Sequence, residues 1–154
     1  MGIVVDSSVL IAWERKQLDL ETQMADHVEE DFAISAMTAS ELLHGVHRAA
    51  TPAQRSQREA FVEGLLLRIP VFSFGLVTAR VHARLSSELA AKKIPVGPHD
   101  LIIAATAMAK VPGGIGRSWV CHHASHFADL PRTRTCMVTR TKAGTASRCR
   151  RRQA

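Results

Sequence analysis

Short β-branched runs alternate along this chain with longer stretches whose apolar residues recur at helical spacing. That alternation restricts the possible folds more than any other feature. Ile3-Val4-Val5 reads as a first strand, and Ser7-Ser8-Val9-Leu10-Ile11-Ala12-Trp13 as the start of a capped helix. Phe32 to Ser35 is the second predicted strand, followed by Thr38-Ala39-Ser40-Glu41, which has capping-box spacing and places Glu41 at the N3 position of a helix reaching about Ala49. Thr51-Pro52 opens a further helix with Phe61, Leu65, Leu66 and Ile69 on one side, stopped by Pro70. Pro70 to Phe74 is a third strand. Gly75 to Lys93 is helical, with Val77, Val81, Leu85 and Leu89 as one apolar stripe. Ile94-Pro95-Val96-Gly97-Pro98 forms a rigid connector before a nearly all-apolar helix from Asp100 to Lys110. Trp119 to Cys121 and Cys136 to Thr139 are the last predicted strands. Strands and helices in this order imply an α/β fold with a central parallel sheet and helices on both faces, in which ligands collect beyond the carboxyl ends of the strands.

Three acids sit where one predicted element hands over to the next: Asp6 after the first strand, Glu41 at the front of its helix, and Asp100 at the head of the apolar helix. Each has an ordinary structural reading. Asp6 and Asp100 suit helix N-caps, and Glu41 would close its capping box with Thr38. Together they suggest a different role, because converging carboxylates repel one another and a fold that assembles them normally supplies a hard cation such as Mg²⁺ or Mn²⁺. The chemistry implied is phosphodiester hydrolysis, with Ser8 as a hydroxyl that orients a ligand or a water. His99, next to Asp100, is a candidate for contact with a substrate phosphate, while His44, His47 and His82 read as plain surface or partner-contact residues on helices.

At 154 residues the chain suits one domain with a core able to fold without staples. Its longest uncharged apolar stretch of helical character, Leu101 to Ala109, is far short of a membrane span, and the start Met1-Gly2-Ile3-Val4-Val5-Asp6 lacks a signal-peptide pattern. The expected location is the cytoplasm. Cys121, Cys136 and Cys149 are an odd number confined to the last third and make no disulfide framework. The net charge of +6 is unevenly placed. Residues 132–154 hold eight Lys/Arg and no acid, so the remainder carries 12 basic groups against 14 acids. The high pI therefore belongs to a tail, which is either a solvated end or an arm for RNA phosphates. Residues 1–139 are expected to form the domain and 140–154 a basic, disordered extension.

Three motifs carry a family resemblance: Ile3-Val4-Val5-Asp6-Ser7-Ser8-Val9-Leu10-Ile11, Thr38-Ala39-Ser40-Glu41-Leu42-Leu43-His44-Gly45 and Pro98-His99-Asp100-Leu101-Ile102-Ile103-Ala104-Ala105-Thr106-Ala107. In order and spacing, over about residues 2 to 110, they resemble the PIN-domain ribonucleases, and within these the VapC toxins of bacterial toxin–antitoxin pairs. The resemblance implies a PIN fold and Mg²⁺- or Mn²⁺-dependent cleavage of an RNA such as tRNA or rRNA, leaving a 5′-phosphate and a 3′-hydroxyl. It also implies Asp6, Glu41 and Asp100 as catalytic metal ligands, inhibition by a VapB-like antitoxin, and a homodimer. Beyond Lys110 the match weakens. The family offers Thr-x-Asn/Asp-x-x-x-Phe, whereas this chain has Cys121-His122-His123-Ala124-Ser125-His126-Phe127, so that His123 takes the place of the fourth polar or acidic group. The preceding Val111 to Arg117 stretch is several residues longer than the family pattern. Either this branch has diverged or part of its reading frame has been altered. A divergent member would be a non-catalytic module that only binds an antitoxin or RNA. The dense Cys121, His122, His123 and His126 group also invites zinc, but four ligands within six residues of one segment do not readily surround one ion.

Overall fold

The computed structural model describes residues 2–25, 31–110 and 119–121. Its order is β1 (Gly2–Val5), α1 (Ser7–Glu14), α2 (Leu20–Ala25), β2 (Asp31–Ser35), α3 (Ala36–His47), α4 (Pro52–Leu66), β3 (Val71–Phe72), α5 (Leu76–Ala91), α6 (Pro98–Lys110) and β4 (Trp119–Cys121). The four described strands form one sheet in the order β3-β2-β1-β4, and every pairing is parallel. β1 and β2 thus lie in the middle, and each runs almost directly into a helix at its carboxyl end.

Alternation along β1 divides the interior. Ile3 and Val5 face a core made with Val9 and Leu10 of α1, Leu42 and Val46 of α3 and Val62 and Leu65 of α4, whereas Val4 packs with Ile103 and Ala107 of α6. A further cluster joins Leu85 and Leu89 of α5 to Leu101, Ala104 and Ala105 of α6. Helices therefore cover both faces, as the sequence pattern implies. Small side chains in α6 permit its close approach to the sheet.

Several boundaries differ from the sequence expectation. α3 begins at Ala36, not at Thr38, because the Ser35 hydroxyl accepts from Thr38 N–H at 2.9 Å and takes the N-cap role itself. Glu41 consequently lies more than a turn inside the helix and is not the N3 partner of a capping box. α6 starts at Pro98, which puts Asp100 in its first turn. β3 is shorter than the expected Pro70 to Phe74 strand, since only Val71–Phe72 pair with Ile34 and Ser35. Val77 is 62% exposed and leaves the apolar stripe of α5 to Val81, Leu85 and Leu89. α2 has no counterpart in the sequence reading. Asp19, which accepts from Thr22 N–H at 3.1 Å, marks its beginning. The strand expected at Cys136 to Thr139 and the basic extension lie outside the described residues.

α1 and α5 both end in Schellman turns without glycine. After α5, Ile94 N–H bonds Leu89 carbonyl at 3.0 Å and Lys93 N–H bonds Ala90 carbonyl at 3.0 Å, with Lys93 at φ 55°. Lys16 does the same after α1, again at φ 55°. Ile94 and Leu89 share one apolar cluster, so this turn fixes where the connector to α6 begins. A left-handed conformation costs an L-residue roughly 1 kcal/mol that glycine avoids. Lys93→Gly is therefore expected to raise unfolding free energy by up to about 1 kcal/mol, read as a higher urea midpoint at unchanged m-value.

Candidate active site

Asp6 is the single residue between β1 and α1. Its extended backbone (φ −81°, ψ 155°) makes it the N-cap, and Oδ1 accepts from Ser8 N–H at 2.8 Å. Only 3% of Asp6 is exposed, which makes it the one buried carboxylate among the described residues. Burial of an acid beside the amino end of a helix is tolerable because backbone N–H groups face it.

The start of α3 is anchored beside the same strand end. Ser35 and Thr38 are wholly buried; their hydroxyls lie 3.0 Å apart, and Thr38 Oγ1 reaches Val5 carbonyl at 3.5 Å. This pairing satisfies polar groups that would otherwise be costly inside the core. It also fixes how far Glu41 stands from Asp6. Glu41 turns back toward α1 and accepts from Ser7 Oγ on Oε2 at 2.6 Å. Its other oxygen, Oε1, accepts from His99 Nδ1 at 2.8 Å. One carboxylate thus joins the residue after Asp6 to the residue before Asp100, and the amino ends of α1 and α6 meet at the second turn of α3.

Asp100 folds back over the entry to α6. Leu101 N–H makes the first helical bond, to Gly97 carbonyl at 3.0 Å. A Cβ added at Gly97 would stand 2.9 Å from Asp100 Oδ2 and 3.4 Å from its Cγ. Gly97 is not needed for a left-handed backbone here. Its missing side chain is the space that the Asp100 carboxylate occupies.

The Glu41 carboxylate thus links the amino ends of the two helices that follow Asp6 and carry Asp100, so the elements bearing the three acids picked out in the sequence are tied together at the carboxyl edge of the sheet. Ser8 contributes its backbone N–H to Asp6, while the hydroxyl that meets an acid belongs to Ser7, which no sequence signal distinguishes from its neighbour. His99 is a partner of Glu41 rather than a free surface residue, although its side chain is 55% exposed. By sequence, neither is separable from a helix cap or a solvated imidazole. His123, with His122 and His126, lies outside the described residues, as do the side-chain positions around Cys121. Among the described residues no three His, Cys, Asp or Glu side chains are grouped so as to hold a metal ion, and both oxygens of Glu41 already accept hydrogen bonds.

The sequence profile of the PIN domain matches residues 3–110. The chain belongs to the PIN-domain family. Ribonuclease VapC1 of Rickettsia felis is 33% identical over 108 residues, covering 70% of this chain and 78% of that protein. The tRNA(fMet)-specific endonuclease VapC of Salmonella typhimurium is 30% identical over 113 residues, covering 69% and 80%. Within the PIN family the chain therefore stands among the VapC ribonucleases. In structure it is similar to VapBC2 from Rickettsia felis bound to a promoter DNA fragment, with TM-score 0.75, 19% identity and coverage of 89% and 98%, a likeness that speaks for the fold alone. VapBC-5 from Mycobacterium tuberculosis gives TM-score 0.66 at 28% identity, covering 87% and 96%. The matched profile ends at Lys110, where the sequence motifs of the PIN family also give out.

Three substitutions check the geometry of this PIN-domain corner. Gly97→Ala is expected to leave melting in EDTA within a few degrees of wild type, yet to weaken Mn²⁺ binding about tenfold by displacing Asp100, as removal of a supporting group typically does. Ser7→Ala should weaken it as well, whereas Ser8→Ala, which keeps the backbone bond to Asp6, should not. Calorimetric titration with Mn²⁺ distinguishes these outcomes.

Proposed function

We propose that this PIN-domain protein is a metal-dependent endoribonuclease, the toxin of a toxin–antitoxin pair, acting on RNA phosphodiesters. The observation that supports the proposal is the Glu41 carboxylate held between Ser7, the neighbour of Asp6, and His99, the neighbour of Asp100, in a VapC-type chain. The donors are all carboxylate oxygens, and such a set suits Mg²⁺ or Mn²⁺. Asp6, Glu41 and Asp100 would hold the ion, which when bound supplies a nucleophilic water at neutral pH and offsets charge on the departing 3′ oxygen.

The protein's own groups prepare that site. Asp6 is fixed by Ser8 N–H, Ser7 orients Glu41 through Oε2, and Gly97 leaves room for Asp100. His99 holds Oε1, and exchange of this hydrogen bond is the change by which Glu41 would turn to the ion. His123 is our candidate for the fourth group, at the position where related chains carry Asn or Asp. The basic extension 140–154 would add attraction to RNA by charge alone.

The substrate class is a structured RNA, with tRNA the first candidate because a VapC relative is a tRNA(fMet)-specific endonuclease. A VapB-like antitoxin is the proposed inhibitor, since the similar structures are VapBC complexes. No helix among the described residues is long and apolar enough to cross a membrane, which accords with work on cytoplasmic RNA. A homodimer is proposed through the corner where β3 leads into α5. Leu76 and Val77 are 70% and 62% exposed there, beside the exposed Phe74 and Val71, an apolar grouping that a partner copy would cover. Leu76→Glu with Val77→Glu is expected to convert a dimer to a monomer by light scattering. A wild-type chain that is monomeric throughout would remove this part of the proposal.

A non-catalytic binding module is the second reading, favoured by the engagement of both Glu41 oxygens. Asp6→Asn separates the two. Asn is as good an N-cap as Asp, so melting in EDTA should be unchanged or slightly raised as like charge is relieved. The upward shift given by Mn²⁺ should shrink, because a ligand stabilises only the state that binds it. Mn²⁺-dependent cleavage of tRNA should fall by at least about a hundredfold, the scale on which removal of one stabilising group acts. A wild type that cuts no RNA in Mn²⁺ would leave the binding module standing.

A further inference from the structure

The exposed side of α3 continues beyond Glu41. Residues spaced i, i+3 and i+7 share one stripe of a helix, and from Glu41 those positions are His44 and Arg48. Both are exposed, and neither side chain has a partner among the described residues. His47 flanks the stripe on the outer side; its Nδ1 accepts from Arg55 Nη2 at 3.2 Å, so α4 contributes a guanidinium to the same end. The opposite side of α3 is the buried one, carrying Thr38, Leu42 and Val46. Two acids lie nearby: Glu14 is occupied by Arg58, whose Nε lies 3.4 Å from it, and Glu59 is exposed one turn beyond Arg55 on α4.

We propose that His44, Arg48 and Arg55 form a track for the RNA backbone that leads out of the catalytic corner along α3. The proposal rests on the nuclease reading for the identity of the ligand. The stripe covers about 10 Å of helix at 1.5 Å per residue, which carries positive charge away from the acids and along the path of a strand whose scissile phosphate sits at Glu41. Carboxylates at the reacting phosphate repel the rest of the strand, and cations displaced by this distance offset that repulsion without competing for the ion. Arginine suits the task because it is always charged and its guanidinium matches phosphate geometry. Exposed His44 supplies a ring N–H donor between the acids and the guanidinium groups.

The bland account of the same residues is that basic groups in the last turn of α3 meet the carboxyl end of the helix dipole. The two differ in what they move. Binding of a short single-stranded RNA to the full chain is measured against salt in an Asp100→Asn background, which prevents cleavage. Arg48→Ala with Arg55→Ala is expected to flatten the log–log slope by about 1.4, from about 0.7 for each phosphate that is no longer neutralised. Arg84→Ala serves as control, since Arg84 pairs with Glu88 at 3.9 Å on α5, and it should leave the slope unchanged. In the cleaving chain the double variant should raise KM and leave kcat near wild type. Equal slopes for the double variant and the background, or an equal flattening by Arg84→Ala, would overturn the track. So would a fall in melting temperature with no change in slope. A wild type that binds RNA with this slope dependence but cuts nothing would sink the nuclease reading and leave the track as a binding surface. A wild type that cuts with an unchanged slope in the double variant would do the reverse.

Discussion

The contact on which this corner depends is the Glu41 carboxylate, which accepts from the Ser7 hydroxyl on one oxygen and from the His99 imidazole on the other. Hydrogen bonds to charged groups contribute roughly 1.5–3 kcal/mol each when shielded, and the exposed His99 bond falls below that range. Their directional effect matters more than their strength. Ser7 opens α1 and His99 is in the first turn of α6, so the carboxylate of one α3 residue aligns two helix amino ends that the sheet alone would leave independent. Both ends present N–H groups and partial positive charge toward the corner, which suits it to the carboxylates it holds.

The sheet explains why that alignment arises where it does. Parallel strands deliver every following helix from the same edge, and β1 and β2 occupy its centre. One residue separates β1 from α1, and none separates β2 from α3, so the first turns of both helices are held to the strand ends. Ser35, Thr38 and the Val5 carbonyl form the buried polar link between those ends. α6 arrives by a longer route, and its position depends on the Schellman turn at Lys93 and on the small residues that seat it over Val4.

The fold class is legible in the sequence because periodicity survives single-residue errors: β1, β2, α4, α5 and α6 all stand out by apolar spacing and by Pro or Gly punctuation. Asp6 and Asp100 stand out because they lie at or next to element boundaries, whereas Glu41, read as a boundary residue, lies in the second turn of α3. What escapes is the choice between adjacent hydroxyl groups. Ser35 and Thr38 both have N-cap chemistry, and the choice of Ser35 moves Glu41 out of its capping box. Ser7 and Ser8 are likewise equivalent by type; helix phase alone directs the first to Glu41. Gly97 reads as part of a stiff linker, since nothing in a linear pattern reveals which side chain will fill a glycine's empty space. Val77 keeps the right spacing for the core but lies where α5 has just left the chain's exposed corner, and periodicity cannot tell a helix end that overhangs its neighbours from one that is covered.

The corner also shows that capping need not exhaust what an acid can accept. Asp6 is a genuine N-cap, with its Ser8 bond at 2.8 Å, and it is also the buried carboxylate nearest the end of the central strand. A cap needs one oxygen, whereas an ion needs a lone pair on either; a carboxylate has enough acceptor sites for both. The cap therefore holds the carboxylate still, removing rotamer freedom, and its orientation comes from the same helix whose dipole tolerates its charge. Glu41 represents the opposite arrangement, with each oxygen already accepting a hydrogen bond. Of its two partners the His99 imidazole is the more exposed, at 55%, so that bond is the one water replaces more readily.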